Sequence, residues 1–174
     1  TSNVTDMKNM FFGMSSLTSL DFGGSNFNTS KVADMSFMFE NMSSLKSLDI
    51  SLVNFNTSEV KNMKNMFFGM SSLTSLNLGS SFDTSNVEDM RYMFGNISSL
   101  TSLDLGSIFD TSSVQDMGYM FYNMSSLTSL DLGSSFETSS VGYMEYMFYD
   151  VSSLTSLNLG SSFDTSGAVD MQYM

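Results

Sequence analysis

The pair Thr-Ser begins at Thr1 and returns at Thr29, Thr57, Thr84, Thr111, Thr138 and Thr165, in steps of 28, 28, 27, 27, 27 and 27 residues. A unit this small cannot bury an apolar face by itself, so neighbouring units must stack into a solenoid. The chain reads as one repeat domain, 1–174. It holds six full repeats (1–28, 29–56, 57–83, 84–110, 111–137, 138–164) and a truncated seventh (165–174). The change of period lies after the strand-like leucines: Leu48 to Phe55 spans seven positions and Leu76 to Phe82 six, which marks a loop.

Within a repeat the apolar positions are fixed, as Val4, Met7, Met10, Phe11, Met14, Leu17, Leu20, Phe22 and Phe27 show. All 18 methionines occupy the three methionine positions of this template, where Ile97 and Val151 are the departures. Positions that Met, Ile and Val fill interchangeably are packing positions, since a hydrocarbon cannot replace a thioether ligand of copper. Ser-Ser-Leu-Thr-Ser-Leu-Asp-Leu (98–105) alternates as a short strand with Leu100, Leu103 and Leu105 inward, and a glycine follows at Gly23, Gly79, Gly106, Gly133 and Gly160. The other half, Val-x-Asp-Met-x-x-Met-Phe-x-x-Met, fits a helical face with Asp6, Asp34, Asp89 and Asp116 in its first turn. It equally fits an extended start followed by a short helical turn at Met-Phe, and we expect the second. Equivalent strands then pair in parallel, giving a rod about 30 Å long. Solenoids end in polar caps, and this chain starts on a repeat and stops inside one, so it belongs to a longer array or its ends meet other copies.

The tract 98–105 and Phe-Asp-Thr-Ser-Asn-Val-Glu-Asp-Met-Arg-Tyr-Met-Phe (82–94) resemble BspA-like leucine-rich repeat surface proteins, and the resemblance runs through every repeat. It implies a right-handed leucine-rich-repeat-like solenoid, mainly β, with one short parallel strand per 27–28-residue repeat plus short helical turns. It further implies an extracellular or cell-surface location and adhesion to protein or glycan. Cysteine is common in that family where this chain has Met14, Met42, Met70, Ile97, Met124 and Val151, and the resemblance carries over no catalytic or ligand residues.

Charge narrows the partners. The net charge is −12, all six cations (Lys8, Lys31, Lys46, Lys61, Lys64, Arg91) precede residue 92, and nine acidic residues follow without one. Such a surface repels nucleic acid and anionic bilayers and suits cations, neutral glycans or basic protein patches. No apolar run approaches the ~20 residues of a membrane span. Histidine and cysteine are absent, and the carboxylates repeat along the rod instead of converging, which points away from catalysis.

Two surfaces are candidates for binding. On the strand face the outward ladders include Thr74, Thr101, Thr128 and Thr155 with Asn77, Asp104, Asp131 and Asn158. An aromatic row, Tyr92, Tyr119, Tyr146 and Tyr173, with Tyr122 and Tyr149 beside it, would suit sugar rings or a neighbouring rod. The ladder Asn28, Asn56, Asp83, Asp110, Glu137 and Asp164 reads as turn caps. Structural calcium is the rival reading there, with one carboxylate per coil as weak support. No other cofactor or metal is indicated. Asn3, Asn28, Asn41, Asn56, Asn96 and Asn123 head Asn-x-Ser/Thr sequons, glycan acceptors only in a eukaryotic secreted protein. Adhesion leads. Self-association of the ends into an extracellular filament is the second reading, and ice binding, prompted by the Thr-Ser rows and opposed by neighbouring aspartates, is the third.

Overall fold

The computed structural model describes residues 1–22, 27–51, 54–105 and 109–174. Gly23 and Gly106, expected to end strands, lie outside them, as do Leu52 and Val53 of the longer loop. The chain is a stack of coils with two ladders. On one side run five parallel strands, β1 (Ser47–Asp49), β2 (Ser75–Asn77), β3 (Ser102–Leu103), β4 (Ser129–Asp131) and β5 (Ser156–Asn158). They pair residue for residue as the repeat requires, Leu48 with Leu76 and Leu103 with Leu130 with Leu157. The ladder is interrupted between β2 and β3, leaving sheets of two and three strands. In the first coil the corresponding segment forms no strand. Phe22 stands there where later coils have Leu or Ile, and its larger ring packs edge-on against Phe11 and Phe39.

The opposite side is the more continuous spine. Bridges link Asp6, Asp34, Asn62, Asp89, Asp116, Tyr143 and Asp170 through every coil. From there the amides alternate in their partners. In the first coil Met7, Asn9, Phe11 and Gly13 donate to Asp34, Ser36, Met38 and Glu40 of the next, while Met10, Phe12 and Met14 donate back three residues. The turn bonds of the expected short helical turn are therefore present, yet no described residue is helical. The reason is local. Two positions per coil on this side have positive φ, 54 to 61° at residues such as Asn9, Tyr119 and Asn123, and a left-handed residue every few positions breaks an α-helix into separate turns.

Side chains lock the remaining corners. Thr29, Thr57, Thr84, Thr111 and Thr138 are buried, and each hydroxyl donates to a carbonyl of the following coil, as Thr84 Oγ1 does to Asp110 O at 2.7 Å. The Thr-Ser repetition is thus an internal hydrogen-bond ladder, and its threonines are not a surface that ice could meet. Asp or Asn makes a turn at three places per coil by accepting the amide two residues on. Examples are Arg91 N to Asp89, Ser85 N to Asp83 and Gly133 N to Asp131. The expected capping role of Asn28, Asn56, Asp83, Asp110 and Asp164 is met in this way. The first-turn aspartates cap turns too, and not a helix N-terminus.

Between the ladders lies one apolar core, with Met, Phe, Leu and Val side chains from Val32 to Met147 buried. Phe11, Phe39, Phe67, Phe94, Phe121 and Phe148 stack along it with near-parallel rings 5.5 to 5.8 Å apart.

Candidate functional site

The left-handed turns decide what faces outward on the spine side. One positive-φ column runs Asn9, Phe37, Asn65, Tyr92, Tyr119, Tyr146 and Tyr173, and the other holds Gly13, Asn41, Gly69, Asn96, Asn123 and Asp150. Glycine, Asn and Asp are the residues that tolerate this conformation, so the second column needs no further reason. It accounts for three of the sequon asparagines, Asn41, Asn96 and Asn123, just as turn capping accounts for Asn28 and Asn56. Phe and Tyr in the first column do need one, because a bulky side chain at positive φ is strained.

The tyrosines form a continuous stack. Ring centroids are 4.3 Å apart for Tyr92 and Tyr119, 4.7 Å for Tyr119 and Tyr146, and 4.8 Å for Tyr146 and Tyr173, with planes within 21° of parallel. A second row, Tyr122 and Tyr149, stacks at 5.8 Å and meets the first edge-on. Within each row the ring faces cover one another, and what the rows offer outward is ring edges and hydroxyls. Burial and the neighbouring phenols push Tyr119 and Tyr146 above the usual tyrosine range, so both remain donors at neutral pH. Tyr143 and Tyr149 are exposed beside them.

A charged column borders the rings: Lys8, Ser36, Lys64, Arg91, Gly118, Glu145 and Gln172 occupy one repeat position. Arg91 reaches across Gly118 to pair with Glu145 two coils on, and also lies 3.4 Å from Asp116. Its guanidinium sits 5.5 Å from the Tyr92 ring centroid and 5.0 Å from that of Tyr119. Burial works against the Arg91 charge, but Glu145 and Asp116 outweigh it and hold the group firmly ionised. Glu145 is 9% exposed, and its Oε2 is buried with no hydrogen-bond partner. Asp89 is held above the usual carboxylate range by burial, with Asp116 adding to it.

Glu40 stands in the column of Tyr122 and Tyr149. Burial raises its pKa, against a hydrogen bond from Asn65 that lowers it, and Oε2 has no partner. A carboxyl whose folded pKa exceeds its unfolded value contributes most below the unfolded value and loses that contribution as pH rises through the folded one. Glu40→Gln should therefore stabilise the protein at neutral pH and leave stability unchanged at pH about 3, where both side chains are neutral. Thermal melts at the two pH values would check this; a variant no more stable at pH 7 would contradict it.

The other predicted residues lie where expected and are engaged with their own chain. Thr74, Asn77, Thr101, Asp104, Thr128, Asp131, Thr155 and Asn158 all stand exposed on the strand face. Thr74, Thr128 and Thr155 donate their hydroxyls to carbonyls of the preceding coil. Asn77, Asp131 and Asn158 cap the turn after their strand, and Asn158 also donates to Asp131. Among the described residues no three acidic side chains gather as a metal site would need. The Arg91–Glu145 pair escaped the sequence reading, in which Arg91 was one of six cations and had no assigned partner. The signal was its repeat position, two coils from Glu145 with Gly118 between.

A family described as "Mycoplasma protein of unknown function, DUF285" matches residues 1–103 and again 73–174. The chain belongs to this family. Among solved structures, the DUF285 chain is similar to a leucine-rich cell surface protein from Faecalibacterium prausnitzii at 14% identity and a TM-score of 0.51. The match covers 80% of this chain and 33% of that one. A leucine-rich repeat protein from Eubacterium ventriosum is matched at 20% identity and a TM-score of 0.34, over 78% of this chain and 35% of the other. The DUF285 chain thus spans about a third of either length, and the first likeness establishes a leucine-rich-repeat solenoid, in accord with the resemblance read from the repeats. No curated protein matches the chain. Among the described residues no helix is long and apolar enough to cross a membrane.

Proposed function

We propose that this DUF285 chain is a repeat domain of a microbial cell-surface protein, and that its tyrosine face holds a ligand on another surface, a protein or a glycan, in adhesion. One observation carries the reading. Asn9 and Asn65 occupy the same left-handed position as Tyr92, Tyr119, Tyr146 and Tyr173, so the fold accepts Asn there. Tyrosine is held at that position four times, at a cost of about 1 kcal/mol each. Strain of this kind, repeated down one column whose rings are half-buried at Tyr92, Tyr119 and Tyr146 and exposed at Tyr173, and not needed by the backbone, supports a contact surface. The strand face supports it less, because its hydroxyls and carboxylates already serve the solenoid. A surface location is supported by the Faecalibacterium protein with the same fold, which is a leucine-rich cell surface protein.

The test is binding of the 174-residue chain to immobilised extracellular-matrix proteins and to a glycan array, beside Tyr119→Asn/Tyr146→Asn. The variant keeps residues that the column already uses, so its circular dichroism should match. Capture that drops about tenfold in the variant supports the reading. Equal capture by both proteins overturns it.

A further inference from the structure

We infer that the C-terminal part of the tyrosine face takes an arginine-bearing segment of a partner protein. This inference rests on the reading of that face as the contact surface and names the chemistry it would hold. The chain itself contains an occupied example. Arg91 lies against Tyr92 and Tyr119 and pairs with Asp116 and Glu145. A guanidinium is thus held by two stacked rings and two carboxylates.

Two coils on, the same columns repeat with the cation missing. Tyr146 and Tyr149 meet edge-on at 5.4 Å, and Tyr143 and Tyr149 are 50% and 44% exposed. Asp170 stands in the column of Asp116, and Glu145 itself occupies the position that Arg91 holds in the earlier coil. Asp150 is exposed next to Tyr149. Within these 174 residues no lysine or arginine follows Arg91, and Arg91 itself is engaged with Asp116 and Glu145, which leaves Asp150 and Asp170 without a neighbouring cation from these coils. Glu145 Oε2 remains a buried oxygen without a partner beside it.

The kind of cation follows from the rings. Guanidinium is planar and weakly hydrated and packs on aromatic groups more readily than an ammonium, while the carboxylates supply the charge. A neutral sugar is the poorer fit, since it brings no charge to meet the carboxylates of Asp150 and Asp170.

The experiment uses the full chain and fluorescently labelled peptides of one length carrying arginine, lysine or the neutral isostere citrulline at alternate positions. Anisotropy should show the arginine peptide binding, the lysine peptide about fivefold weaker and the citrulline peptide not at all. Tyr146→Asn/Tyr149→Ser should weaken the arginine peptide about tenfold, and Asp150→Asn by about threefold. Asp104→Asn/Asp131→Asn, which removes charge from the strand face, should change little. Equal binding of arginine and lysine peptides, weakened as much by the strand-face variant, would reduce the effect to the general acidic field and overturn the inference. So would an unchanged affinity in the tyrosine variant. If a matrix protein or glycan is captured through the tyrosines while no arginine peptide binds, this inference fails and the adhesion reading stands. If the tyrosine variants lose no ligand of any class, both fail.

Discussion

Phe94→Ala is expected to destabilise the solenoid by about 4 kcal/mol, the range for emptying a large buried aromatic site. Phe94 is fully buried, and its ring stacks on Phe67 at 5.6 Å and Phe121 at 5.8 Å while meeting Phe109 at 6.3 Å. In a solenoid each coil touches only its neighbours, so the loss falls on the coupling between the two halves of the stack. The urea transition should move to lower concentration and broaden as the halves uncouple. Phe11→Ala provides the contrast: Phe11 is half-buried in the first coil, stacked on one side by Phe39, and should cost less than half as much. Equal losses at the two sites would mean that the phenylalanine stack does not join the coils.

That the core is so plainly legible in the sequence has a physical cause. Every coil repeats the same inward positions, so a reading that fails at one is corrected by the others: Ile97 and Val151 revealed that methionine packs, and burial of Met93, Ile97 and Met124 agrees. Parallel register was legible for the same reason, since equal spacing leaves Leu103, Leu130 and Leu157 opposite one another. What the pattern could not distinguish was a helical face from a series of turns, because both place apolar residues three apart. The deciding property is the sign of φ, which the aromatic column conceals. Tyr92, Tyr119 and Tyr146 have no preference for positive φ, and only Asn9 and Asn65 in their column, with Gly13, Asn41 and Gly69 in the next, betray it.

The candidate surface was legible as a row of rings but not as an electrostatic arrangement. A tyrosine every 27 residues predicts stacking, yet the way the rings turn their edges outward depends on the left-handed backbone. Hydrogen bonds likewise separate the two faces. The strand-face polar groups looked free as an alternating pattern, and they are largely consumed by turns and carbonyls.

The Arg91–Glu145 pair makes the sharpest demand on the structure, because it joins residues 54 apart across a coil whose Gly118 presents no side chain at the intervening position. Arg91→Leu should cost about 3 kcal/mol, since it leaves Glu145, whose side chain is 12% exposed, charged and without its partner. Glu145→Leu should cost less, about 1 kcal/mol, because Arg91 keeps Asp116 and some access to water. If the two residues act as a pair, Arg91→Leu/Glu145→Leu should cost about 2 kcal/mol, less than Arg91→Leu alone and half the additive loss, for a coupling of about 2 kcal/mol. Gly118→Ala tests the geometry directly: its Cβ would lie 2.7 Å from Arg91 Nη1 and 2.8 Å from Glu145 Oε1. The pair would have to part, so this single methyl should reproduce part of the Arg91→Leu loss and add nothing when both partners are already leucine. Additive losses across these variants would mean that the charges contribute separately and that Gly118 is not there to let them meet.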